Sequence, residues 1–258
     1  MQGRMAVRSY GVACFRRNKN NETQVLMVKR RYTYEFTEFV HHTFYKKKFN
    51  PTIFDNMTND EKIDIMSLKF SQMWYRITLR YEEKNVSYLH KKNLFEKRFL
   101  SDGGQSLINM LQHSQTRRIP EVWELPKGRR LNARLATGGN GQQETEIETA
   151  VREFGEETLV TKNMYKLYPD IVKELTFSDG GVNYAYMYYF GIVTSNFVPT
   201  QTSFKNYGQI KEISEMKWVN MNHIREISRS NISSQAPLEK LLLPLFRLAK
   251  NITNGKKY

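Results

Sequence analysis

The chain has 258 residues, 40% of them hydrophobic, and a formal net charge of +14 from 40 Lys and Arg against 26 Asp and Glu. That is enough for one domain of about 150 residues plus a second unit of up to about 100. The single Cys14 excludes an internal disulfide, no Cys/His run has zinc-site spacing, and no apolar run approaches the about 18 residues of a membrane span.

The start, MQGRMAVR, is charged and leads into a strand pattern instead of a signal-peptide apolar region, so a soluble, cytoplasmic protein is expected. Tyr10 to Arg16 and Gln24 to Arg30 read as two strands joined by a polar turn, with Cys14 as a small core residue. From about Glu35 to Thr116 the pattern turns helical. Thr58 and Glu61 form a capping box, and Ile63, Met66, Phe70, Met73 and Trp74 follow at helical spacing. Two further helical stretches, around Leu89 to Leu100 and Gln105 to Leu111, flank Asp102-Gly103-Gly104.

Strand character resumes at Val122 to Leu125, and an acidic helix follows. Asp170 to Phe177 and Asn183 to Val193 read as a hairpin, with Tyr184, Tyr186, Tyr188 and Phe190 alternating on one face. Ile213 to Val219 gives another strand, and Pro237 to Lys250 an amphipathic helix that Pro244 should kink. The tail from Asn251 onward reads as frayed. Mixed strands and helices make this an α/β fold. The helical block, residues 35–116, divides a domain made of 1–34 and 117–258.

The acidic helix carries the chemistry. Glu153, Glu156 and Glu157 stand at i, i+3 and i+4, where neighbouring Cβ atoms are about 5–6 Å apart. Gathered carboxylates repel unless a cation joins them, and hard cations such as Mg²⁺ or Mn²⁺ take carboxylate oxygens together with substrate phosphates. An acidic solvent face would look the same without further context. The basic surplus supplies that context, because a positive surface attracts polyanions, nucleic acid first. It is clumped at Lys46-Lys47-Lys48, at Lys91-Lys92, at Arg117-Arg118, and at Lys127 with Arg129 and Arg130.

Trp123-Glu124-Leu125-Pro126-Lys127-Gly128, then Glu144, Arg152-Glu153-Phe154 and Glu156-Glu157, resemble the Nudix box in type and spacing. The sequence departs from that pattern in two places. The box glycine should be Gly138, six residues before Glu144, whereas the Pro-Lys-Gly turn ends at Gly128, which makes 129–138 an insertion. Leu159 stands where the family has Gly, and a Gly there would end the helix in left-handed conformation. The expectation is therefore a helix running on toward Asn163.

The resemblance implies a Nudix α/β/α sandwich with a mixed sheet and an all-helical insertion between its early strands. Within the family the insertion, together with Phe177-Ser178-Asp179-Gly180 and Glu212-Ile213-Ser214, resembles the mRNA-decapping enzymes of large cytoplasmic DNA viruses, African swine fever virus more closely than poxviruses. This implies a viral protein that cleaves the cap of mRNA in the host cytoplasm, releasing m7GDP and 5′-monophosphate RNA, a host-shutoff activity. The same resemblance implies Mg²⁺ or Mn²⁺ held by Glu153, Glu157 and the Gly128 carbonyl, with Glu156 bridging or holding a second ion. Arg152 would brace the glutamates, and Glu144 would cap or orient the helix start.

Glu212 matches the relatives' further glutamate, a general base, with Glu215 as the alternative; both also read as surface charges beside Lys211 and Lys217. The resemblance to the poxvirus enzymes implies that Asp179 with Tyr184 or Tyr186 binds the methylated guanine, although a tyrosine stripe also reads as core. The basic clumps would contact RNA along a wall formed by the helical insertion. Two rivals remain open: a Nudix hydrolase of a small diphosphate, such as a diphosphoinositol polyphosphate or dinucleoside polyphosphate, and a non-catalytic RNA-binding protein.

Overall fold

The computed structural model describes residues 6–41, 49–80, 85–115, 121–131, 143–179, 181–194, 206–230 and 238–254. The chain forms two compact units, one of residues 1–29 and 123–258 and one of residues 30–122.

The first unit is built on a mixed sheet of β1 (Val7–Arg17), β2 (Thr23–Arg30), β3 (Trp123–Glu124), β4 (Lys127–Gly128), β5 (Tyr165–Asp179), β6 (Val182–Val193) and β7 (Ile213–Val219). The strand order is β3-β2-β1-β6-β5, with β4 paired to β1 and β7 to β2. β1 runs parallel to β6, with Gly11 opposite Tyr188, and antiparallel to β2, with Phe15 opposite Val25. Alternation along the strands makes two cores. Ala13, Phe15, Val25, Met27, Tyr188 and Phe190 pack with the carboxy-terminal helix, while Val12, Cys14, Leu26, Val28 and Tyr189 pack with the acidic helix. The result is an α/β/α sandwich.

The acidic helix is α6 (Glu146–Thr158), and its start is fixed by a capping box that joins Thr145 and Glu148. Its end corrects the sequence reading: α6 stops at Thr158, with Leu159 left-handed at φ 60°. The Thr158 hydroxyl donates to the Phe154 carbonyl and accepts from the Val160 N–H, turning the chain so that Val160 is buried in the core. A left-handed non-glycine residue costs about 1–2 kcal/mol, and burying Val160 offsets that. After α8 (Met221–Ser230), the terminal helix α9 (Leu238–Thr253) includes Pro244 and extends past Asn251, where fraying was expected.

The second unit is helical in the described residues: α1 (Tyr34–His41), α2 (Asn59–Ser67), α3 (Phe70–Thr78), α4 (Val86–Phe99) and α5 (Gln105–His113). Phe36, Phe39, Phe54, Trp74, Phe95 and Phe99 are among its core residues. The capping box of Thr58 and Glu61 is present. The helical spacing read through Ile63 and Met66 is corrected, because the chain breaks between α2 and α3, leaving Ile63 54% and Met66 48% exposed. Glu61, Lys62, Asp64 and Ile65 form the buried face of α2 instead.

Candidate active site

The turn that faces α6 is shaped by two glycines. Gly11 lies opposite Lys127 in the β1–β4 pairing, where an added Cβ would sit 2.0 Å from the Pro126 carbonyl oxygen. At Gly128 an added Cβ would lie 2.0 Å from the carboxyl carbon of Glu153. Only glycine lets the Glu153 carboxylate rest on this backbone. Gly128 is thus the glycine that meets the acidic helix, while Gly138 lies outside the described residues.

Glu157 is 4% exposed and accepts a hydrogen bond from the Lys127 backbone N–H at 3.1 Å. Burial pushes its carboxyl pKa well up, and the charges of Glu124, Glu212 and Glu153 push the same way against Lys127. Burial also raises Glu153, where Arg152 opposes the shift and Glu156 and Glu212 add to it. Glu212 ends the short helix α7 (Tyr207–Glu212) and pairs with Lys211 at 3.0 Å. The structure therefore brings Glu153, Glu157 and Glu212 into one electrostatic neighbourhood, together with Glu124. Sequence reasoning gave Glu124 no role; its signal was its position inside the Trp-Glu-Leu-Pro-Lys-Gly turn.

Arg152 braces the cluster. Its guanidinium donates to Glu144 at 2.8 Å, to Glu153 at 2.8 Å, to Glu156 at 3.2 Å and to the Arg129 carbonyl at 3.0 Å. Glu144 also accepts from Thr149 and from the Leu131 N–H, so it orients the helix start that Thr145 caps. The Glu156 side chain is 55% exposed, on the solvent side of the cluster. Glu215 faces Lys29 at 3.9 Å and enters none of these contacts.

The remaining expected residues divide. Lys127, expected against RNA, has a side chain 7% exposed and ion-paired to Glu124. Its ammonium also lies 4.8 Å from the centroid of the Tyr186 ring. Arg130 pairs with Glu146 at 3.1 Å. Tyr184 stacks on Phe177 at 5.1 Å and 15°, and Tyr186 meets Phe177 edge-on. Tyr188 and Phe190 are core, so the tyrosine stripe is core at one end and a partly buried aromatic cluster at the other. Asp179 pairs with Val182 at the hairpin end, and its side chain is outside the described residues. In the helical unit, Lys92 pairs with Glu96 and the Lys91 ammonium lies 5.3 Å from the centroid of the Trp74 ring. Lys46, Lys47, Lys48, Arg117 and Arg118 lie outside the described residues.

The NUDIX domain model matches residues 99–240, more than half of the chain. The chain belongs to the Nudix family. It is 29% identical over 253 residues to the mRNA-decapping protein g5R of African swine fever virus isolate Warthog/Namibia/Wart80/1980, covering 95% of this chain and 96% of that one. The g5R protein of the Pig/Kenya/KEN-50/1950 isolate is 28% identical, with the same coverage of both chains. A solved C. elegans Ap4A hydrolase complex covers 97% of this chain and 99% of its own at 13% identity and TM-score 0.46, and adds nothing to the assignment.

A divalent ion is general to Nudix hydrolases, and the donor set fits one. It is acidic, oxygen-based and set against the glycine backbone at 128, with more buried negative charge than Lys127 and Arg152 balance. Among the described residues no three His, Cys, Asp or Glu side chains are gathered at ligating spacing. Arg152 holds Glu153 and Glu156 instead. Among those residues there is also no helix long and apolar enough to cross a membrane.

Proposed function

We propose that this protein is a Nudix pyrophosphohydrolase that removes the 5′ cap of mRNA in the host cytoplasm, using Mg²⁺ or Mn²⁺, and leaves RNA with a 5′ monophosphate. The observation that supports it best is near full-length similarity to g5R proteins in a chain whose Glu153 rests against Gly128 and whose buried Glu157 feels the charges of Glu153 and Glu212. Glu153, Glu157 and the Gly128 carbonyl would hold the ion, with Glu156 at its solvent side. When bound, the ion neutralises charge on the phosphoanhydride oxygens.

The chain's own groups do the rest. Glu212, half-exposed at the end of α7, accepts a proton from the attacking water. Arg152 orients Glu153 and Glu156. The Phe177, Tyr184 and Tyr186 rings, with Asp179 at the hairpin end, offer a face to the cationic methylguanine, worth about 0.5–2 kcal/mol as a cation–π contact. Lys91 and Lys92, with the basic residues outside the described ones, supply phosphate contacts whose strength falls as salt rises.

Incubating cap-labelled RNA with the protein and either ion, then identifying the released nucleotide, tests the reading. Release of m7GDP is expected, faster from long capped RNA than from free cap analogue. Cleavage of dinucleoside polyphosphates or diphosphoinositol polyphosphates with capped RNA untouched would overturn it, as would RNA binding without any release.

A further inference from the structure

We propose that Gln209 is a positioning residue that sets the reach of Glu212 toward the metal-binding glutamates, by tying α7 to the carboxy-terminal end of α6. The proposal rests on Glu212 being the general base, as argued above.

The last carbonyls of any helix lack partners within it. On α6 the Gly155 carbonyl is taken by the Leu159 N–H and the Phe154 carbonyl by the Thr158 hydroxyl. The Glu157 carbonyl is reached from another element: the Gln209 side-chain amide donates to it at 3.0 Å. Gln209 is 0% exposed, although glutamine is a residue type found mostly at the surface. Leaving a buried carbonyl unpartnered costs about 1–3 kcal/mol, so this amide is a specific fastening.

The same residue organises the segment that carries Glu212. Its backbone N–H donates to the Asn206 side chain at 3.1 Å, which caps α7, and its carbonyl accepts from the Ile213 N–H, where α7 ends and β7 begins. Its side-chain nitrogen also lies 3.5 Å from the Met216 sulfur. Gln209 therefore meets the start of α7, its end, the strand beyond it, and the backbone of the glutamate most deeply set in the acidic cluster. Glu212 stands less than one helical turn further on. One side chain thus links the backbone of a metal-binding residue to the helix that presents the base.

The test is a double-mutant cycle with steady-state kinetics on capped RNA, using Gln209→Leu and Glu212→Gln singly and together. Gln209→Leu should lower kcat about 10- to 100-fold, the scale of a misplacement near 1 Å, with KM unchanged. In the Glu212→Gln background it should lower kcat no further, because there is no base left to misplace. Full additivity, or a change confined to KM, would overturn the positioning role. Undiminished activity of Glu212→Gln by itself would overturn the general base instead, which separates the two failures. If Gln209→Leu does not fold, Gln209→Asn keeps the amide but withdraws it by one methylene and enters the same cycle with the same expected pattern.

Discussion

Both units bury acidic side chains, and they treat them oppositely. In the helical unit Glu61 accepts from the Thr33 N–H at 2.7 Å, the Thr33 hydroxyl at 2.8 Å and the Thr58 N–H at 2.9 Å. Burial raises its pKa, and the hydrogen bonds from Thr33 and Thr58 oppose the rise. Asp64 is likewise answered by Arg76. In the sheet unit Glu157 has the Lys127 N–H, while Glu124, Glu212 and Glu153 all add to the cost of its charge. An acid surrounded by donors fixes a fold; an acid crowded by other acids holds its charge at a cost that a cation would relieve. Burial alone does not separate the two, and the identity of the neighbours does.

Glu157→Gln should break this comparison most visibly. Losing the charge should lower metal-dependent decapping at least about 100-fold, the scale of removing one preorganised electrostatic group, while RNA binding persists. The same variant should be more stable than the parent without metal at neutral pH. A carboxyl whose folded pKa is raised contributes stability below its ordinary value of 4.5, and that contribution is lost as pH climbs through the raised value. Metal-free parent should therefore melt at progressively lower temperature as pH rises from that region toward neutrality, with Glu157→Gln relieved of part of the loss. Adding Mg²⁺ or Mn²⁺ at 100 times its Kd should restore about 2.7 kcal/mol to the parent and much less to the variant. Parallel melting curves for the two proteins, with and without the ion, would place the site elsewhere.

The opposite result is expected at Glu61. Glu61→Ala strips partners from the buried Thr33 N–H and the part-buried Thr58 N–H, and a buried group left unpartnered costs about 1–3 kcal/mol, so the helical unit should lose about 2–4 kcal/mol in chemical denaturation. Glu61→Gln keeps one acceptor oxygen and should lose less. A Glu61→Ala protein as stable as its parent would mean that hydrogen bonding to this acid is not what sets it apart from Glu157.

How legible each acid was in the sequence follows the same line. The capping box of Thr58 and Glu61 and the ligand spacing of Glu153, Glu156 and Glu157 are local patterns, readable within a few residues. So were the paired opening strands and the hairpin of β5 and β6. What escaped depends on partners remote in sequence. Lys127 read as one of a basic clump, whereas Glu124 and the Tyr186 ring take up its charge in the fold. Gln209 carries no motif signal of its own, because its importance comes from α7 arriving at α6, and the position of Glu124 inside the Trp-Glu-Leu-Pro-Lys-Gly turn does not reveal its ion pair with Lys127. Ile63 and Met66 kept helical spacing across a break at Lys69, where a fresh helix begins with its own cap, and periodicity cannot see a change of axis.

The smallest effect tests a feature that the two units share. Each ends a helix on a left-handed leucine: Leu79 after α3 at φ 54° and Leu159 after α6 at φ 60°. Both side chains are half-buried, so replacing either loses apolar contact while the backbone strain stays or goes with the choice of residue. Comparing Ala with Gly isolates that strain. Leu159→Gly should exceed Leu159→Ala by about 1 kcal/mol, the cost of a left-handed Cβ, and the same ordering should hold at Leu79. At position 159 both variants should keep decapping activity close to the parent's, since the Thr158 hydroxyl and the Gln209 amide hold the end of α6 independently of that side chain. A large activity loss in Leu159→Gly with stability intact would mean that the leucine, not the Thr158 hydroxyl, fixes the turn that ends α6.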